Sequence, residues 1–261
     1  MTERPGRVQD KVAIVTGAGS TPGPGVGTGK AAAIDLAREG ASVALFDVAP
    51  ERAEETRELI ESEGGTAIVV GGDATVAADC EALVNATVEA FGGVDILVNN
   101  IGRAAVGTVV DISEEDWDRS IAINLRTTFL ASKYAIPAMV QRGGGAIVNV
   151  CSISAVRGDG TAAYSAAKGG MLALTTDMAY SHGRDGIRVN AVAPWYIRTP
   201  LADQVLKDED YRAEVLARTP MGRVGEVAEC ARAIAFLALP AAAYITGACL
   251  PVDGGFSVYG F

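Results

Sequence analysis

The sequence predicts an α/β protein: a doubly wound sheet of about seven parallel strands with helices on both faces. Two observations predict it. Short β-branched runs, each ended by Gly, Asp, Asn or Ser, alternate along the chain with longer stretches of helical periodicity. No linker, repeat or low-complexity tract breaks the alternation, and 261 residues, 49% of them apolar, suit one domain spanning 1–261.

The strands are read in order from KVAIVTG, ASVALFD, GTAIVVGGD, VDILVNN and GGAIVNVCS, and then from GIRVNAVAP and GACLPVDGG. Helical periodicity fills 30–39, 50–63 and 76–91, and helices precede each of the last two strands. A helix in every crossover makes the strands parallel. Ligands are then expected at the carboxyl ends of the strands. The least regular stretch, 195–223, mixes Pro, acidic and scattered apolar residues, and reads either as a mobile segment covering a substrate or as a plain surface helix-loop.

Charge and composition narrow the partners. A net charge of −10 without a clustered Lys/Arg face argues against nucleic acid and against an anionic membrane surface. Cys80, Cys151, Cys230 and Cys249 are too widely spaced for a metal site and read as free thiols of a reducing cytoplasm. The polar start MTERPGRVQDK has no apolar targeting region, and no apolar run approaches the roughly 20 residues that span a bilayer. A cytoplasmic protein acting on a small molecule, with no bound metal, is the expectation.

The segment GAGSTPGPGVGTGK places glycines at 17, 19, 23, 25, 27 and 29. A triphosphate-binding loop would need Gly where Pro24 stands and a hydroxyl where Ala31 stands, so that pattern fails twice. The dinucleotide pattern G-x-G-x-x-G/A fits only from Gly27 through Thr28 and Gly29 to Ala32, directly before a helix. N–H groups around Thr28 would then meet a pyrophosphate at the helix start. Asp47, at the end of the second strand, lies at the distance expected of an acid that bonds the adenosine ribose. A carboxylate there repels a 2′-phosphate, and Val48, Ser20 and Thr21 offer no arginine to offset it, so NAD is favoured over NADP.

Proton transfer has few candidates. His182, the only histidine, sits in the polar loop SHGRDG and reads as exposed. Tyr164 and Lys168, in YSAAK, share a helix face at i and i+4. A phenol with a pKa near 10 needs a drop of about 3 units, or ~4 kcal/mol, to serve as a base at neutral pH. A lysine ammonium ~4 Å away at an effective dielectric of ~20 supplies about that much.

Taken together, VTGAG through GTGKAAA, GGDAT, LVNNIG, INLRTTF, IVNVCS, YSAAK, IRVNAVAP with IRTP, and YITGACLPVDGG resemble the short-chain dehydrogenase/reductase family from about residue 10 to the end. The resemblance implies a single Rossmann-like domain, commonly a homotetramer or dimer, that moves hydride between NAD(P) and an alcohol or carbonyl. It makes Tyr164 the general acid/base and Lys168 its activator and ribose ligand. Ser152 would hold the substrate oxygen, and Asn124 would support Lys168 through a water. Gly17, Gly27, Thr28 and Gly29 would form the cofactor turn with Asp47. Asp73 would meet the adenine beside Ala74, Asn99 and Gly102 would line the adenosine side, and Ile197, Thr199 and Pro194 would flank the carboxamide.

The chain also departs from the family pattern. About six residues, 21–26, are added inside the glycine turn, either covering the cofactor or forming an idle excursion. Ser154 rivals Ser152, which is preferred because it ends the strand directly. Trp195 and Tyr196 follow Pro194 where Gly is customary, either shaping an aromatic substrate pocket or packing under the 195–223 segment. Ile101 replaces a customary alanine, and Arg103 and Arg157 could pair with a substrate carboxylate or with surface acids. The aromatic end, GGFSVYGF, is expected at a subunit interface. The expected activity is NAD-dependent interconversion of a secondary alcohol and a ketone; a 3-oxoacyl carrier-protein reductase and a non-catalytic nucleotide-binding scaffold are the alternatives.

Overall fold

The run VAIVT makes β1 (Val12–Thr16), buried at all five positions. A strand hidden on both faces needs helices on both sides. The computed structural model, which describes residues 7–23 and 25–258, places β1 inside one seven-stranded parallel sheet. Its other strands are β2 (Ser42–Asp47), β3 (Thr66–Gly71), β4 (Ile96–Asn99), β5 (Gly145–Val150), β6 (Ile187–Pro194) and β9 (Cys249–Val252), in the order β3-β2-β1-β4-β5-β6-β9. All seven expected strands are present.

Alternation along the strands divides the core in two. Ala13, Val15, Val43 and Leu45 pack on one face with Leu36 of α1 (Thr28–Arg38), Ile60 of α2 (Pro50–Ser62) and Ile234 of α9 (Val227–Ala238). Ile14, Ala44 and Phe46 face the other way, onto Leu83 of α3 (Ala77–Phe91), Leu130 of α5 (Thr127–Gln141) and Met178 of α6 (Ala162–His182). The first three helices lie within two residues of their expected bounds.

From β1 the chain winds outward to β2 and β3, then returns to β4 on the other side of β1 and winds the opposite way. Helices therefore leave adjacent strands toward opposite faces, which opens a crevice beyond the carboxyl ends of β1 and β4. α4 (Glu114–Ile121) follows the β4 loop, with Ser113 accepting from the Asp116 N–H at 3.1 Å as its cap. The 195–223 stretch forms β7 (Ile197–Arg198), α7 (Pro200–Val205) and α8 (Glu209–Ala217), and β7 pairs with β8 (Gly225–Glu226). Among the described residues no helix is long and apolar enough to cross a membrane, and no cluster of three metal-ligating side chains occurs. All four cysteines are unpaired.

Candidate active site

A cavity of about 1150 Å³ runs across the carboxyl ends of the strands, from Asp47 and Asp73 at one end to Trp195 and Tyr211 at the other. It is somewhat larger than the roughly 300–1,000 Å³ usual for a small ligand. Its length leaves room for two molecules end to end.

At the first end, Gly17 turns the chain out of β1 at φ +65°, in the left-handed region that favours glycine. A Cβ on Gly29 would stand 2.1 Å from the Gly17 carbonyl oxygen, so the turn closes only with glycine there. Gly27 caps α1 with no side-chain hydrogen bond, leaving the first N–H groups of the helix directed at the cavity lined by Gly27, Thr28 and Gly29. Uncapped donors and a bare glycine cradle fit the pyrophosphate of a dinucleotide. Beside them, Asp47 accepts from the N–H groups of Gly19 at 2.9 Å and Ala49 at 3.0 Å. Asp73 and Ala74 line the same end, with Asp73 accepting from the Thr75 N–H at 2.8 Å.

Asn99 is a correction. Its side chain is buried behind the sheet end, where it donates to Ser132 at 3.1 Å and Asn149 at 2.8 Å, and it does not line the cavity. Successive residues of a strand end point to opposite sides, so the neighbour Asn100 takes the cavity position. Asn100 donates to the carbonyls of Thr16 at 3.2 Å and Gly17 at 3.0 Å, pinning the glycine turn to β4. The sequence also gives no arginine near the ribose among the neighbours of Asp47, yet Arg52 lines the cavity with it. Arg52 sits in the first turn of α2 against Gly19, and it makes no ion pair among the described residues. Reading on from Asp47 into the first turn of the next helix would have found it.

Catalytic candidates gather at the second end. Ser152 follows β5, Tyr164 and Lys168 project from one face of α6, and all three line the cavity. Asn124 lies in a π-helical turn, Ala122–Arg126, between α4 and α5. Such a turn rotates side chains out of α-helical register. Asn124 accepts from the Arg103 N–H at 2.8 Å and donates to the Ser120 carbonyl at 2.9 Å, so it ties the loop after β4 to the helix. A Cβ on Gly102 would stand 3.0 Å from Lys168 Nζ and 3.2 Å from Asn124 Oδ1; the bare glycine lets the lysine and asparagine approach each other.

Burial dominates the electrostatics here. It takes the Lys168 ammonium down to about 8 while Nζ donates to the Val150 carbonyl at 2.8 Å. It pushes the Tyr164 phenol up to about 12, against a hydrogen bond with Ser152 that lowers it. Lys168 Nζ stands 5.7 Å from the centre of the Tyr164 ring and is not among the groups that lower the phenol. Burial thus acts on both groups in the direction opposite to the attraction expected between them.

The aromatic pair both packs and lines the cavity. Trp195 stacks on Phe256 at 3.8 Å and meets Tyr196 edge-on at 4.8 Å, and the hydroxyls of Tyr196 and Tyr211 are hydrogen-bonded. The Trp195 Nε1 atom is buried without a partner among the described residues. Pro194, Ile197 and Thr199 line the wall nearby, with Thr199 capping α7 through a 3.2 Å bond from the Ala202 N–H. Arg103 and Arg157 do not line the cavity, and Arg157 lies 5.7 Å over the Phe256 ring, so neither is placed to clamp a substrate carboxylate. His182 bonds Asp185 at 3.0 Å, away from the cavity. In the 21–26 segment, Gly23 and Gly25 approach Pro200 of α7; Pro24 lies outside the described residues, as do 259–261 of the aromatic end.

Comparison with known proteins agrees with this geometry. Residues 25–257 match the family described as Enoyl-(Acyl carrier protein) reductase. The chain is 42% identical to an oxidoreductase of Thermotoga maritima, over 95% of this chain and 97% of the relative. It is 40% identical to 2-(S)-hydroxypropyl-CoM dehydrogenase 3 of Xanthobacter autotrophicus, over 96% and 98%. A crystal structure described as a short-chain dehydrogenase/reductase from Burkholderia xenovorans superposes with a TM-score of 0.94 at 40% identity, covering 98% of this chain and all of that one. With the fold, the cavity and the full-length likeness in agreement, the chain belongs to the short-chain dehydrogenase/reductase family of oxidoreductases.

Proposed function

We propose that this oxidoreductase interconverts a secondary alcohol and a ketone with NAD as its cofactor. The observation that carries the reading is the convergence of Ser152, Tyr164 and Lys168 at one end of a cavity whose other end is an uncapped, glycine-lined helix start. Bound NAD would supply the hydride acceptor, or NADH the donor. Ser152 and Tyr164 would hold the substrate oxygen between two hydroxyls, and Tyr164 would give or take its proton. Lys168, fixed by Val150, would bond the nicotinamide ribose, with Asn124 keeping the wall behind it in place. Tyr196, Trp195 and the α7–α8 segment close the substrate end, which supports the covering role of 195–223.

Asp47 supports NAD over NADP, because a carboxylate at the ribose accepts from hydroxyls and repels phosphate. Arg52, a cation of the same wall with no ion pair among the described residues, works in the other direction. The net charge of −10 weighs against an acidic carrier protein as the bearer of the substrate. The protein is proposed to work in the cytoplasm as a homotetramer or dimer.

Fluorescence titration with NADH and NADPH tests the cofactor assignment. NADH binding at least about tenfold tighter, or 1.4 kcal/mol, is expected. Equal or tighter NADPH binding would show that Arg52 outweighs Asp47. In Tyr164→Phe, oxidation of a screened secondary alcohol should fall on the order of 10²–10⁴-fold with NADH binding retained. Unchanged turnover would remove Tyr164 from the mechanism, and failure of the parent to turn over any alcohol or ketone would favour the scaffold alternative.

A further inference from the structure

The loop between β5 and α6 sets a carboxylate without a countercharge into the substrate end of the cavity. Asp159 lines that end together with Ser152, Ser154 and Tyr164. Its own neighbours fix its orientation: Oδ1 accepts from the Thr161 hydroxyl and, at 3.3 Å, from the Thr161 N–H, with Ser165 Oγ at 3.4 Å. Oδ2 accepts from the Ser154 hydroxyl, its one partner among the described residues, which leaves a lone pair of that oxygen open. All of these partners are neutral, and Asp159 makes no ion pair among the described residues.

The cations of this region are engaged elsewhere. Arg119 of α4, on the cavity wall, pairs with Glu115 at 3.0 Å. Arg218 of α8 pairs with Glu214 at 3.2 Å and lies 5.4 Å over the Phe256 ring, and Arg157 lies 5.7 Å over the same ring. Lys168 Nζ donates to the Val150 carbonyl, and Arg52 stands at the far end with Asp47. What faces Asp159 across the substrate end is aromatic: Trp195, Tyr196 and Tyr211, the hydroxyls of the last two bonded to each other. Asp159, Trp195 and Tyr211 also line a small adjoining cavity of about 120 Å³ with Glu214 and Arg218, so the space beside the carboxylate extends past the reacting groups.

Ser154 Oγ stands 3.1 Å from Ser152 Oγ and bonds Asp159, so two hydrogen bonds separate Ser152 from the carboxylate, a span of no more than about 6 Å. A small alcohol held at Ser152 therefore reaches Asp159 with a second polar group a few carbon atoms along its frame. An ionised carboxylate only accepts, so that group is a donor, and an ammonium brings the missing charge along with its protons. Ring surface beside it favours the same sign. We propose that Asp159 is a specificity-determining residue of the substrate site, and that the preferred substrate is a small amino alcohol, or the matching amino ketone, with its protonated amine against Asp159 and the wall of Trp195, Tyr196 and Tyr211. An anionic group in that place meets the carboxylate and is rejected. Naming the reacting group rests on the alcohol–ketone reading; the charge preference at Asp159 does not.

Three cyclohexanols that carry an amine, a hydroxyl or a carboxylate two carbons along the ring isolate the effect of charge. Their Kd values for the full chain, with and without NADH, which cannot oxidise them, are measured by NMR titration at about pH 7, where the amine is protonated and the carboxylate ionised. The amine is expected to bind on the order of tenfold tighter than the hydroxyl, and the carboxylate weakest. Asp159→Asn should draw the three Kd values together, and Asp159→Glu should keep their order. If Asp159→Asn fails to fold, Asp159→Ser removes the same charge, and raised salt should narrow the gap in the parent. Equal binding of amine and hydroxyl by the parent would overturn the proposal, as would no binding of any of the three or an amine preference that survives in a folded variant without the charge. Turnover with NAD is read separately. An amine preference in binding by a protein that oxidises none of the three would uphold Asp159 and sink the alcohol–ketone reading, whereas oxidation of the diol in preference to the amine would do the reverse.

Discussion

Lys168 and Tyr164 are displaced in opposite directions by the same cause, loss of water around a charge. Lys168 falls from 10.5 to about 8. Between those values the unfolded chain binds more protons than the folded protein, so a destabilisation present at lower pH is relieved as pH climbs through the window. Tyr164 rises from 10.0 to about 12, so its contribution is intact below pH 10 and is lost as pH rises through its folded value. Thermal unfolding of the parent beside Lys168→Met, measured from about pH 7 to about pH 10, checks the first effect: the parent should gain on the variant as pH rises above 8. A constant difference would mean that Lys168 is better solvated than its burial implies. At this scale the sequence was informative about Tyr164 and Lys168, whose spacing alone puts them on one helix face. It was silent about Arg52, whose place beside Asp47 comes from packing of α2 against the glycine turn.

Among the elements, the π turn at Ala122–Arg126 and the 21–26 segment of the glycine turn do what a regular helix and a short turn could not. The π turn swings Asn124 to the back of Gly102, within reach of the Lys168 side. The added segment reaches the other wall: a Cβ on Gly23 would lie 3.3 Å from Pro200 Cβ, at the first residue of α7. The loop thus lies against α7, in the stretch proposed to cover the substrate. Deleting 21–26 is expected to speed amide exchange in α7 and to raise the KM of the alcohol more than that of NAD. Exchange in α7 that does not change would show the loop to be an idle excursion. Neither role was legible beforehand, because the number of added residues follows from a motif, whereas the wall they touch depends on where a distant helix packs.

For the whole molecule, the sheet buries apolar strands on both faces and leaves exposed apolar side chains on the helical layer. Phe129 and Val140 on α5 and Tyr180 on α6 are exposed. The proposed dimer or tetramer would cover such side chains, with closed symmetry as its ordinary form. Sedimentation at micromolar concentration is expected to find one of these, and Phe129→Glu to weaken it. A monomer at that concentration would remove the oligomer from the proposal. The net charge of −10 is spread over many acids, so raised salt should leave the assembly intact or tighten it.

The fold was legible from residues 11 to 255 because it rests on periodicity. Strands buried on both faces read as unbroken apolar runs, and the helices between them leave only a parallel, doubly wound order. The glycine turn was legible for a similar reason: Gly17 and Gly29 are fixed by local geometry, a left-handed turn and a close backbone approach. Only the tertiary structure decided which of Asn99 and Asn100 meets the cavity, since one position along a strand end reverses the direction of a side chain. It also decided that Tyr164 and Lys168 lie where water is excluded. Spacing put an ammonium near the phenol, but burial set the dielectric around both groups, and solvent exclusion is a property of the assembled core, not of any stretch of the chain.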